Sequence, residues 1–259
     1  MGLPMFTPGT DPGPNFVGLL KSAGIRIHSE ATGQIEVPHG TTCVALRHAG
    51  GVVIAGDRRA TSGSYISSGS MEKVVQADDY CGVAISGAAG PAVSMIHLFQ
   101  LQLEHYEKME GHPLTLEGKA NQLSAMVRDN LPAAMQGLVV HPLFAGIEPR
   151  DGSGHIWSFD VTGGRYEEQE FAAIGSGMMH AAMVIKVGWN RNLSRNAAVA
   201  LACRSLWEAA QSDSATGGPD MLRGVYPIVA SVTADGWETV TDAELQTIFS
   251  SLEEEVRAR

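Results

Sequence analysis

The feature that most constrains this chain is an abrupt change of pattern at Gly40-Thr41. Residues 1–40 hold five of the twelve prolines and show no apolar periodicity. From Thr41 the chain alternates at once with the period of a strand, through Thr42-Cys43-Val44-Ala45-Leu46. A second apolar run follows, Gly51-Val52-Val53-Ile54-Ala55. A fold that begins at a threonine points to a threonine meant to become a chain terminus. Such a residue joins a hydroxyl nucleophile to a free amine that can act as its base. Gly40 leaves its own carbonyl unhindered. Attack on that carbonyl by the Thr41 hydroxyl, then hydrolysis of the resulting ester, would create the terminus. The new amine titrates at about 8 in a model peptide and so suits base catalysis near neutral pH. The plain alternative is a buried threonine in a strand, where threonine is common.

The remaining pattern gives an order of elements. Strands are expected at residues 41–48, 51–55, 73–76 and 81–86, the last ending at a turn, Gly87-Ala88-Ala89-Gly90. Helices follow at 93–110 and 115–135, with Pro132 near the second one's end. Strands come next at 138–145, 155–160 and 166–173, then helices at 178–189 and 195–210, and strands at 225–233 and 237–239. The tail, 242–259, has helical propensity and ends in a charged, solvated stretch. Separate runs of strands and helices argue for an α+β class. Two packed sheets with helix pairs outside suit the count.

Composition narrows the function. A net charge of -10 argues against a nucleic-acid binder. No apolar run reaches ~18 residues, so no membrane span is expected, and the start lacks the basic-then-apolar order of a signal peptide. Cys43, Cys81 and Cys203 are odd in number and far apart. They show neither metal spacing nor a disulfide framework and read as core thiols of a reducing compartment.

Several motifs then fall in one order: Gly40-Thr41-Thr42, Gly56-Asp57-Arg58-Arg59-Ala60-Thr61-Ser62-Gly63, Lys73, Gly175-Ser176-Gly177, and Asp213-Ser214-Ala215-Thr216-Gly217-Gly218-Pro219-Asp220. Each is weak alone. Together they resemble the β-type subunits of the 20S proteasome over nearly all of residues 41–248. The stretches Leu103-Glu104-His105-Tyr106-Glu107-Lys108-Met109-Glu110-Gly111 and Met135-Gln136-Gly137-Leu138 are similar to the actinobacterial branch.

The resemblance implies a four-layer αββα sandwich of the N-terminal-nucleophile hydrolases and a threonine endopeptidase. It implies a propeptide over 1–40, removed by autolysis, and a catalytic domain over 41–259. Thr41 matches the nucleophile, and Asp57 and Lys73 match a charged pair beside it. The Lys73 charge would lower the pKa of the neighbouring amine and hydroxyl, with Asp57 holding it in place. Gly87 matches a backbone oxyanion donor. Thr61 and Ala89 match backbone that pairs with extended substrate. Ser176 and Asp213 match groups that orient the terminal amine. Thr216 completes that set where many relatives carry serine. Ala60, Met71, Val75, Ile85, Ala89 and Val93 match pocket-lining positions, and their apolar character implies cleavage after hydrophobic residues. The implied partners are α-type subunits, further copies in rings of seven (α7β7β7α7) and a ring-shaped unfoldase ATPase, all in the cytoplasm. No cofactor, metal, nucleic acid or membrane is implied.

Other readings stand beside these. Asp57-Arg58-Arg59 and Asp213 suit solvated turns, Lys73 a surface charge, Gly87 a turn, Ser176 a helix N-cap, and the pocket residues a core. At the level of function, the alternatives are an inactive ring subunit, a small-molecule amidase of the same class, and the shorter two-ring bacterial protease with a Thr-Thr start. The joint presence of Gly40, Thr41, Asp57 and Lys73 speaks against the first, and the length of the match against the others.

Overall fold

A computed structural model describes residues 40–258. Of the leader expected over 1–40, all but Gly40 lies outside the described residues.

Alternation builds two antiparallel sheets. One takes β1 (Thr42–His48), β2 (Gly51–Gly56), β10 (Phe171–Gly175), β11 (Ile228–Thr233) and β12 (Gly236–Thr239), in the order β10-β1-β2-β11-β12. The other runs in sequence order through β5 (Val74–Asp78), β6 (Cys81–Gly87), β7 (Val140–Glu148), β8 (Ser153–Phe159) and β9 (Arg165–Glu168). A separate hairpin joins β3 (Ala60–Ser62) to β4 (Tyr65–Ser68).

Each sheet is apolar on both faces, because each is covered twice. Cys43, Ala45, Val52 and Ile54 point between the sheets, where they meet Leu143, Ala145 and Ile156. The alternate positions, Val44, Leu46, Val53 and Ala55, face α4 (Met178–Gly188), α5 (Arg195–Ser212) and α6 (Asp242–Arg257). The opposite face of the second sheet is covered by α1 (Ala89–Glu110) and α2 (Leu116–Asp129). There Phe99 packs edge-on to Phe144 with ring centroids 6.1 Å apart, and Phe144 stacks on Trp157 at 5.6 Å. The layers run helix, sheet, sheet, helix: the αββα sandwich that the order of elements suggested.

One element was not anticipated, and three local expectations need correction. The β3–β4 hairpin carried no alternation long enough to announce it. Residues 166–173 are two strands, not one: β9 closes one sheet, and after Gln169 and Glu170 the chain crosses to start β10 in the other. The turn at 87–90 is shorter than expected, since α1 starts at Ala89 and absorbs Gly90 and Pro91. Proline is tolerated in a first turn, whose N–H groups have no intrahelical partner. The helix expected over 115–135 ends at Asp129. Thr115 caps its start by accepting from Gly118 N at 3.1 Å, Asn130 is its C-cap, and Pro132 lies in a separate short turn, α3 (Leu131–Ala134).

Candidate active site

Strand ends from both sheets meet at the start of β1. Pairing of β1 with β2 sets Cys43 against Gly56, so Asp57 emerges beside Thr42 and donates its N–H to the Thr42 carbonyl at 3.1 Å. Pairing with β10 sets Thr42 against Gly175, so Ser176 emerges beside Thr41 and donates its N–H to the Thr41 carbonyl at 2.8 Å. Lys73 arrives from the other sheet, immediately before β5. Asp213 is the C-cap of α5, and Thr216 lies three residues on.

One side of Thr41 is ionic and dry. Asp57 and Lys73 are 0% and 1% exposed, with Lys73 Nζ 2.7 Å from Asp57 Oδ1. Asp57 also accepts the Thr42 N–H at 2.8 Å, the Gly217 N–H at 2.7 Å and the Arg59 N–H at 2.9 Å. The Lys73 ammonium gives its other protons to the Gly40 carbonyl, at 3.2 Å, and to the Arg59 carbonyl. Burial of two charges is repaid only where geometry and extra hydrogen bonds satisfy both, as they do here. Neither a solvated turn nor a surface charge describes these residues.

Thr41 itself is 4% exposed, and its hydroxyl donates to the Gly40 carbonyl at 2.6 Å. That one oxygen therefore takes two donors, the Thr41 hydroxyl and the Lys73 ammonium. Gly40 is also fixed by room. A Cβ there would lie 2.2 Å from Thr61 Oγ1 and 2.7 Å from Ala215 Cβ. Behind the pair, burial first of all pushes the Cys43 thiol up to about 12, Asp57 adding to the rise and Lys73 opposing it, so the thiol stays protonated.

The other side is built from hydroxyls. Ser176 Oγ and Thr216 Oγ1 each donate to Asp213 Oδ2 at 2.6 Å. Thr216 Oγ1 lies 2.5 Å from Thr42 Oγ1, which accepts the Gly177 N–H at 3.0 Å. Partial burial works to raise the Asp213 pKa. The hydrogen bonds from Ser176 and Thr216, helped by Ala215 N–H and the charge of His180, outweigh it and hold the carboxyl below its ordinary value. Ser176 is not a helix cap: Gly177 occupies that position on α4. Gly177 is required by space, since a Cβ there would lie 2.4 Å from Thr42 Oγ1 and 2.6 Å from Thr216 Oγ1.

Of the residues anticipated from sequence, Thr41, Asp57, Lys73, Ser176, Asp213 and Thr216 form one connected cluster, with Thr61 against Gly40. Gly87 ends β6 with φ +99°, a region that favours glycine. With Ser176, Ile174, Met178 and His141 it lines a cavity of about 500 Å³. The apolar positions divide. Ala60 and Ile85 are buried; Met71 and Val75 are half-buried against the core beneath α1; Ala89 begins α1, and Val93 is exposed on it. A larger cavity, about 690 Å³, lies between α1 and α2 around Leu101, His105 and Tyr106. Sequence reasoning gave no role to Thr42, Gly177 or Gly217. The only written signals were the Thr-Thr doublet and two glycines beside predicted site residues.

A four-layer αββα sandwich that sets a threonine at the head of its first inner strand, against a buried lysine, defines an N-terminal-nucleophile hydrolase. The family model described as "Proteasome subunit" matches residues 37–222. "Proteasome subunit beta" of Acidimicrobium ferrooxidans is 54% identical over 262 residues, covering 100% of this chain and 96% of the relative. "Proteasome subunit beta" of Streptomyces griseus is 52% identical over 220 residues, covering 85% of this chain and 78% of the relative. The chain belongs to the proteasome-subunit family, as a β-type, threonine endopeptidase subunit.

Proposed function

We propose that Thr41 is the nucleophile of this endopeptidase and that the chain frees it by cutting its own Gly40–Thr41 bond. The observation that carries the proposal is the double donation to the Gly40 carbonyl, from the Thr41 hydroxyl at 2.6 Å and from Lys73 Nζ at 3.2 Å. The Thr41 oxygen attacks the Gly40 carbonyl carbon, and negative charge develops on the oxygen that Lys73 already holds. The hydroxyl proton passes to the amide nitrogen, the C–N bond breaks, and an ester joins Gly40 to Thr41. Water cleaves the ester, leaving a Gly40 carboxylate and a free Thr41 amine and hydroxyl.

In turnover the Thr41 amine takes the hydroxyl proton and the oxygen attacks the substrate carbonyl. The Gly87 N–H serves the oxyanion, and the amine passes the proton to the departing nitrogen. Water then hydrolyses the acyl-threonine. Asp57 holds Lys73; Ser176, Asp213 and Thr216 orient the amine. Substrate lies extended against Thr61 and Ala89. The apolar surface of Ala60, Met71, Val75, Ile85, Ala89 and Val93 supports cleavage after hydrophobic residues. A fluorogenic panel favouring basic or acidic residues at the cleaved position would refute that preference.

The assembly proposed is α7β7β7α7, with α-type subunits outside and a ring-shaped unfoldase feeding the chamber. Leu98 and Leu101 of α1, and Met179, Met183 and Val187 of α4, stand exposed on the isolated chain, and such surface supports burial between subunits. The three unpaired cysteines support the cytoplasm. No helix among the described residues is long and apolar enough to cross a membrane.

The deciding measurement is intact mass and N-terminal sequence after co-expression with the α-type partner, beside Thr41→Ala. The expected result is a wild-type chain beginning at Thr41 and a mutant left full-length. A wild-type chain that kept its leader in complete particles would favour an inactive ring subunit.

A further inference from the structure

The conserved count of protons in the hydroxyl cluster assigns a direction to it. A serine or threonine hydroxyl has one proton to give, and an ionised carboxylate only accepts. Thr216 lies 2.6 Å from Asp213 Oδ2, so its single proton is committed there. The 2.5 Å contact between Thr216 and Thr42 must then be donated by Thr42. Thr42 in turn accepts from the Gly177 N–H at 3.0 Å. The chain runs one way, from Gly177 through Thr42 and Thr216 to Asp213. Ser176 ends on the same carboxylate oxygen at 2.6 Å, closer than the 3.2 Å to the Thr41 carbonyl, so its proton is also committed to Asp213. Asp213 Oδ2 thus takes the protons of both hydroxyls that reach it, Ser176 and Thr216.

We propose that Thr42 is a positioning residue of the endopeptidase, whose hydroxyl, by donating to Thr216, keeps the Asp213 charge dispersed and so keeps the Thr41 amine unprotonated near neutral pH. The proposal rests on reading Thr41 as the N-terminal nucleophile. Thr42 touches no substrate; it is 0% exposed, with its hydroxyl turned into the cluster. Its donation polarises Thr216, and linked hydrogen bonds strengthen one another in a water-poor site. The more firmly Thr216 donates, the more the negative charge of Asp213 is dispersed, and the less that charge favours an ammonium at Thr41. Other charged or titratable groups face the same place: Asp57 and Lys73 from the two sheets, Cys43 on β1, and His180 on α4, which acts on Asp213. All of them stay in place when Thr42 alone is changed, so they cancel in a comparison of variant with wild type.

The test uses assembled particles, co-expressed with the α-type partner. Rates on a fluorogenic peptide with a hydrophobic residue at the cleaved position are measured from pH 5.5 to 9, per active site, as a test range of roughly the span over which an amine near 8 titrates. One net hydrogen bond is worth a factor of about five to ten. For Thr42→Val the expected result is a processed chain with kcat about five- to tenfold lower at pH 7, KM within about twofold, and the acid limb moved up by about 0.7 to 1 pH unit. Thr42→Ser restores both the rate and the limb. Thr42→Val with Thr216→Val is no worse than Thr216→Val alone, since both cut one chain. If Thr42→Val fails to assemble, Thr42→Cys, a weaker donor of similar size, gives a smaller shift in the same direction.

A limb and kcat unchanged in Thr42→Val, or in Thr42→Cys where valine does not assemble, overturn the proposal. So does a loss confined to KM, to particle yield or to melting temperature, and so does a serine variant that folds without recovering. Thr41→Ala separates the two readings. If it stays active, the nucleophile assignment itself falls. If it is inactive while Thr42→Val matches wild type, only the role of Thr42 falls.

Discussion

The two carboxylates beside Thr41 are held in opposite ways. Asp57 is sealed from water, paired with an ammonium and bound by three backbone N–H groups. Asp213 is only partly buried and takes two hydroxyl protons and one backbone N–H. A buried ion pair is rigid and intolerant, because loss of either partner strands a charge. A hydroxyl chain costs less to disturb and carries no net charge along its length, so it suits fine control of a proton. In the proposed mechanism the site divides labour: the ionic side fixes the Gly40 carbonyl, and the hydroxyl side is there to adjust the amine that cleavage would create.

Breaking the ionic side should have the largest effect. Lys73→Met keeps bulk but leaves the Asp57 charge uncompensated. A loss of about 3–5 kcal/mol in a denaturant titration is expected, with the Gly40–Thr41 bond left intact by mass; processing at the wild-type rate would show the ammonium dispensable. Breaking the other side should cost less. Gly177→Ala drives a methyl between Thr42 and Thr216, at about 1–3 kcal/mol for overpacking, and peptide hydrolysis should fall more than self-processing does. Equal losses in both assays would dissolve the division. Thr216→Ser sharpens it further: the hydroxyl stays, one buried methyl goes at about 0.8 kcal/mol, and turnover should hold within about threefold.

The smallest effects are on pH dependence. Cys43 and Cys203 are raised by burial from 9.0 to about 12, which favours the protonated thiol in the fold. Their contribution is complete below about 9 and is lost as pH rises toward 12, so alkaline melting points should decline over that window. Native protein at pH 8 should resist thiol reagents, and ready labelling would contradict the burial. Asp213, held below its ordinary value, works with the opposite sign. Its contribution is present above about 3.9 and fades as pH falls through the folded value. Asp213→Asn should flatten that acid decline slightly.

The layers were legible because strands covered on both faces write continuous apolar runs such as Val52-Val53-Ile54, and these differ from helical spacing. The crossing at Gln169 and Glu170 was not legible. Strand-like residues, Tyr166 before it and Phe171 after it, flank it closely, and no glycine or proline marks the place where the chain leaves one sheet for the other. Beyond Thr41, which the change of pattern marked, the site was legible only through resemblance. Thr41, Asp57 and Lys73 carry no spacing rule that predicts contact; strand register and the packing of one sheet on the other bring them together. Thr42 was quoted in a motif and still passed over, because its hydroxyl partner lies 174 residues away.

The hold on Asp57 has a consequence in time. Its partners come from the head of β1, the turn after β2, the approach to β5, and Gly217, which lies 160 residues further along. Contacts so distant in sequence close late, after the cost of the intervening loop has been met. A chain still emerging, or stalled after α2, lacks the loop beyond α5 that completes the Asp57 cage. Proteolytic competence is then among the last properties the molecule acquires, and an unfinished chain carries no finished blade.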